Sequence, residues 1–180
     1  QTLTRGLPRH TTLIGRIRKD AKLYFPHEHS PKKYGPPAPT PEELRQDEQH
    51  PWEDVEAYAA GKTHAFRIKT LAPIRWRKTG TACPLRVVVI APVGYRLSQG
   101  GRLLYRQPAY LICTDPDLPV QRLLQDYLWR WDIEVNHRDE KQIIGVGQAQ
   151  VRSSKSVDRQ PAFAAAAYAM LLLAAMNAYG

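Results

Sequence analysis

The chain has 180 residues, 43% of them hydrophobic, with a formal charge of +9 and a pI near 9.7. That apolar share is enough to build a core, which argues against a disordered chain, and the positive excess attracts polyanions through Coulomb forces and counterion release. Cys83 and Cys113 lie far apart in sequence with no neighbours at metal-ligand spacing, so they indicate neither a disulfide framework nor a zinc site and fit a reducing cytoplasm.

The basic excess is concentrated in residues 1–35, where Arg5, Arg9, Arg16, Arg18, Lys19, Lys22, Lys32 and Lys33 face only Asp20 and Glu28, a net +6. Such a segment suits nucleic acid, and equally a solvated surface that aids solubility. Gln1-Thr2-Leu3-Thr4 has neither an initiator Met nor a charged-then-apolar leader and reads as a truncation point. Residues 11–19 are β-branched and predict a strand that ends at Asp20. Residues 25–41 are dense in proline and predict a surface loop.

Thr40-Pro41-Glu42-Glu43 has an N-cap, a proline at N1 and first-turn acids, which predicts a helix over 41–60 broken near Pro51 and closed by Gly61. Residues 63–114 change to short β-rich runs at 64–71, 74–77, 85–92, 102–106 and 109–114, a small and mostly antiparallel region. A long helical pattern follows over 120–144 and stops at Gly145. A second helix is predicted over 161–179, with Pro161 in its first turn and Gly180 as its cap. Residues 162–178 carry no charge and reach the lower length limit of a membrane span. Their many alanines favour a buried helix of a soluble α/β domain, and no membrane contact is expected.

The 120–144 helix carries the strongest signal. At about 100° per residue, and with Tyr127 set at zero, Arg130, Glu134 and Lys141 fall within a stripe roughly 60° wide, and Arg138 lies about 20° to its other side. Leu124, Leu128, Trp131 and Val135 form an apolar stripe beside it. A carboxylate flanked by cations and a phenol suits phosphodiester chemistry, in which the acid holds a divalent ion and the cations contact phosphates. Arg130 and Glu134 also fit an ordinary i,i+4 surface pair.

Tyr127-x2-Arg130-x3-Glu134-x6-Lys141 resembles the Y-R-E-K signature of bacterial insertion-sequence transposases of the DDE class, and the run from Tyr127 to Gly145 is similar to that family's Y-x-x-R-W-x-I-E-x-x-x-R-x-x-K-x-x-x-G pattern. Residues 15–24 are similar to the family's strand that ends in the second catalytic aspartate, which here is Asp20. The resemblance implies an α/β, ribonuclease H-like domain, N-terminally truncated, with a β-rich insertion before the helix of the catalytic Glu. The implied organisation is 1–25 for the strand with the second Asp, 26–62 for the Pro-rich linker and helix, 63–114 for the insertion and 115–180 for the C-terminal helices.

The resemblance further implies metal-dependent DNA strand cleavage and strand transfer at two Mg²⁺ (or Mn²⁺) ions, with Asp20 and Glu134 as catalytic metal ligands. Tyr127, Arg130, Arg138 and Lys141 would bind phosphate. The implied partners are transposon ends and target DNA, and a second copy of the chain in a synaptic homodimer; the implied location is the cytoplasm, at the nucleoid. No acidic residue precedes Asp20, so the first aspartate of the pattern is not among these residues, and little activity is expected of this chain alone. The alternatives are a catalytically inactive, DNA-binding transposase relic, a membrane-associated protein anchored through 162–178, and a ribonuclease of the same fold.

Asp115, beside Pro116 and ahead of the long helix, reads as a turn or cap residue. His27 and His29, in a Pro-rich loop, read as solvent-exposed. Trp76, between Arg75 and Arg77, is expected to pack or to lie exposed, with stacking on a base as the functional alternative.

Overall fold

The computed structural model describes residues 4, 7, 8, 10–30, 33–59 and 61–179, and of residues 81 and 82 the backbone alone. Arg5, Arg9, Lys32 and Gly180 therefore lie outside the described residues. The chain forms two compact units, residues 1–128 and 129–180.

The first unit is built on strands β1 (Ile14–Arg16), β2 (Leu23–Pro26), β3 (Tyr34–Ala38), β4 (Glu53–Ala59), β5 (Lys62–Trp76), β6 (Gly80–Ile90), β7 (Gly94–Tyr95), β8 (Leu104–Tyr105) and β9 (Ala109–Cys113), with helix α1 (Pro41–Gln46) between β3 and β4. Helix α2 (Val120–Gln142) starts in this unit, and α3 (Ser154–Tyr179) lies in the second. One seven-stranded sheet has the order β1-β9-β6-β5-β2-β3, with β4 also on β5, and β7 and β8 form a separate pair. The described pairings are all antiparallel. Within the β-rich stretch 63–114, β5, β6 and β9 thus share a sheet with β1 to β4, while β7 and β8 pair apart from it.

The run Val87-Val88-Val89-Ile90 has no polar position because both faces of β6 are covered. Val87 and Val89 join Leu23, Ile74, Leu85, Tyr110, Ile112 and Leu44 of α1 in one core cluster. Val88 and Ile90 join Phe66, Ile68, Leu111, Cys113 and Leu123 and Leu124 of α2 in the other. The period-two alternation of strand side chains thus divides the core between α1 on one face and the start of α2 on the other.

Several sequence expectations are corrected here. The predicted strand over 11–19 is confined to β1, and the chain then turns: Ala21 N donates to the Arg18 carbonyl at 3.2 Å, and Glu42 N donates to the Lys19 carbonyl at 3.0 Å. Asp20 therefore occupies a turn beyond the strand. The Pro-rich loop contains β3, whose Pro36 and Pro37 are tolerated because β3 is an edge strand. The helix predicted over 41–60 stops at Gln46. Its start is as expected, a capping box in which Thr40 Oγ1 accepts from Glu43 N and Glu43 accepts from Thr40 N.

Residues 53–59, read as helix, form β4 in a hairpin with β5, closed at Ala59↔Lys62 with Gly61 at φ +82°. Helix-favouring Glu and Ala residues yield here to a pairing in which Val55 and Ala57 turn inward. The runs 64–71 and 74–77 merge into β5, with a register shift around Pro73. The last helix begins seven residues before Pro161, at Ser154, so Pro161 stands inside it. Its expected burial is also corrected: Ala164 is its one buried residue, while Phe163, Met170, Leu171, Leu172, Leu173 and Met176 are exposed. By length and composition α3 is apolar enough to cross a membrane.

Candidate nucleic-acid interface

Helix α2 is positioned from both ends. Ahead of it Asp115 Oδ1 accepts from Asp117 N at 3.0 Å and Leu118 N at 3.2 Å, the turn role expected of this residue, and Leu123 N donates to the Pro119 carbonyl at 2.9 Å. Its C-terminal carbonyls are closed by Ile143 N on Asp139 at 2.8 Å and Val146 N on Glu140 at 2.9 Å, with Gly145 at φ +74°. Gln125 clamps the helix to β4, its amide donating to the Tyr58 carbonyl and accepting from Tyr58 N at 2.9 and 2.8 Å. Between these anchors the helix is uninterrupted for 23 residues.

Tyr127, Arg130, Glu134 and Lys141 therefore share one rod, as the spacing predicts. Tyr127 is half-buried against the core cluster under α2. Arg130 Nη1 donates to Glu134 Oε1 at 3.3 Å, and both side chains remain about half exposed. Arg138 contacts Asp139 at 3.0 Å, and Lys141 is exposed. The apolar stripe beside them is buried only at its start: Leu124 is fully enclosed and Leu128 packs on the core, whereas Trp131 is 60% exposed. Tyr127 belongs to the first unit, and Arg130, Glu134, Arg138 and Lys141 to the second.

Asp20, in the first unit, is bound by Arg18 through both carboxylate oxygens, at 2.9 Å from Nε and 2.8 Å from Nη2. This bidentate pair holds the exposed carboxyl below the ordinary range and raises the guanidinium in turn. Among the described residues, no group of three or more His, Cys, Asp and Glu side chains gathers as a metal site would require.

Sequence reasoning missed a second polar cluster. Glu42 accepts from Arg45, Gln46 and the Tyr110 hydroxyl at the floor of a cleft of about 450 Å³, lined also by Arg16, Lys19 and Gln107. Glu42 read as a first-turn acid and Tyr110 as a strand residue, and nothing in their spacing brings them together. Lys69 was missed as well: it is 2% exposed, lies 4.8 Å from the Trp52 ring, and donates to the Arg45 and Asp47 carbonyls at the end of α1. His27 Nδ1 accepts from His29 N, and no cysteine or further histidine joins them among the described residues.

Compared with known proteins, the chain matches no family model, no curated protein and no solved structure.

Proposed function

We propose that this chain is the DNA-holding portion of a DNA transposase of the DDE class, an enzyme that cuts and joins the strands of an insertion sequence. The observation that carries the proposal is the row of Tyr127, Arg130, Glu134 and Lys141 along one unbroken helix face, at the spacing of the Y-R-E-K signature. The basic charge of the chain supports the same partner. In a complete site Asp20 and Glu134 would ligate Mg²⁺ or Mn²⁺. In this chain their arginine partners hold them, so its own share of the work is to contact phosphates through Tyr127, Arg130, Arg138 and Lys141. The ribonuclease H-like fold belongs to this proposal, as do the homodimeric synapse and the nucleoid location.

Binding to duplex DNA over a range of salt concentrations tests it. Arg130→Ala and Lys141→Ala should each weaken binding and lower the slope of log K against log salt by about one. A double variant with unchanged affinity and slope would sink the proposal. A specific observation favours a second reading, the inactive DNA-binding relic: both carboxylates are neutralised by arginines within their own segments. Supercoiled plasmid and Mn²⁺ separate the two. Nicking lost in both Asp20→Ala and Glu134→Ala identifies the enzyme, and intact plasmid with retained DNA binding identifies the relic.

A further inference from the structure

The face of the sheet at β2, β3 and the end of β5 carries a cluster that the α2 reading does not use. Leu23 pairs with Trp76 and Tyr24 with Arg75, so the pleat sends Leu23 and Trp76 toward the core and Tyr24 and Arg75 to the other side. Pro26 pairs with Tyr34 and brings the Tyr34 ring to that outer side, where the Tyr24 and Tyr34 centroids are 5.2 Å apart. Arg77, just beyond the strand end, lays its guanidinium 5.0 Å from the Tyr24 centroid and 6.0 Å from that of Tyr34. Arg77 is exposed, as is Lys33, the residue directly before β3. β2, β3 and residues 75–80 contain no Asp or Glu.

From this geometry we infer that the Tyr24–Tyr34–Arg77 platform is a binding site for single-stranded nucleic acid. The exposed Arg77 guanidinium, beside two phenol rings tilted 56° to each other, offers a delocalised cation and ring surface against which any unpaired base stacks. Lys33, exposed and directly preceding Tyr34, adds a second positive charge beside Arg77 for the backbone phosphates. Duplex DNA keeps its bases stacked inside the helix and offers this platform only phosphates, so the site discriminates in favour of unpaired strands. A peptide strand adding to the sheet is a poorer occupant, because Pro36 and Pro37 remove amide donors from β3, the edge it would have to join. The site lies wholly in residues 1–128 and needs neither a metal nor the α2 residues, so it stands whether or not the transposase proposal does.

The test is fluorescence anisotropy of the full chain with a labelled thymidine oligonucleotide, competed by the same oligonucleotide, by duplex DNA and by heparin. Single strands should compete best. Arg77→Ala and Tyr34→Ala should each weaken single-strand binding about five- to a hundredfold, the range of one base stack, while changing duplex binding less. Arg77→Lys keeps the charge and should not restore binding, whereas Tyr34→Phe keeps the ring and should retain it; both conservative variants serve if an alanine variant fails to fold by circular dichroism. The preference for single strands should survive in the Arg130→Ala, Lys141→Ala protein. Equal competition by heparin, duplex and single strand would overturn the inference, as would wild-type single-strand affinity in folded Arg77→Ala or Arg77→Lys.

Discussion

Glu42 satisfies three partners at once: Arg45 forks onto its carboxylate, Gln46 donates at 2.9 Å, and the Tyr110 hydroxyl donates to the second oxygen. Arg45 chiefly, aided by Tyr110, holds the carboxyl at about 2 against an ordinary 4.5. Burial, and then the hydrogen bond to Glu42, pushes Tyr110 up to about 12. The depressed carboxyl contributes stability that is fully present above pH 4.5 and drains away as the pH falls toward about 2. Chemical denaturation at about pH 5 and about pH 2 should show the native chain losing about 1–2 kcal/mol more than Glu42→Gln over that window, a figure reduced for the partial exposure of the group. An equal loss in both would show that the cluster does not couple to folding. Neither this cluster nor Lys69 was legible in the sequence, because each depends on long-range pairings that bring α1 to β9 and β5. The Arg18–Asp20 pair is of the opposite kind, since two residues along a turn suffice to close it.

Among the elements, α2 was the most legible, because its boundaries rest on local chemistry: the Asp115 turn ahead of it and Gly145 behind it. What periodicity left open was how much of its apolar stripe finds a partner. Leu124 is enclosed by the sheet and Trp131 is mostly exposed, although the same pattern includes both. Thermal or urea melts should show Leu124→Ala losing about 2–5 kcal/mol and Trp131→Ala less than about 0.5 kcal/mol. Comparable losses would mean that Trp131 is covered in solution. β4 was misread because Glu and Ala favour helices, while the alternation of Val55, Ala57 and Ala59, visible in the same residues, is what the pairing with β5 uses. β3 was missed since its prolines argue against a central strand and say nothing against an edge.

Across the whole molecule, apolar composition told that residues 162–178 need cover without telling what covers them. α3 shows large apolar side chains on every side, with Phe163, Leu171, Leu172 and Leu173 spread around its axis, and a helix of that kind is ordinarily enclosed. Light scattering should therefore fall in a chain shortened to residues 1–153 relative to the full chain, and nonionic detergent should remove the difference. Identical scattering in both would show that the helix is covered. The sheet has an opposite character at its rims. β1 is three residues long, β3 carries Pro36 and Pro37, and the outer backbone of β4 is engaged at Tyr58 by the Gln125 amide. Because each of these rims is short, missing donors or clamped, none is a good template for fibril growth, and misassembly of this protein should begin from its exposed helix and proceed as amorphous association without cross-β order.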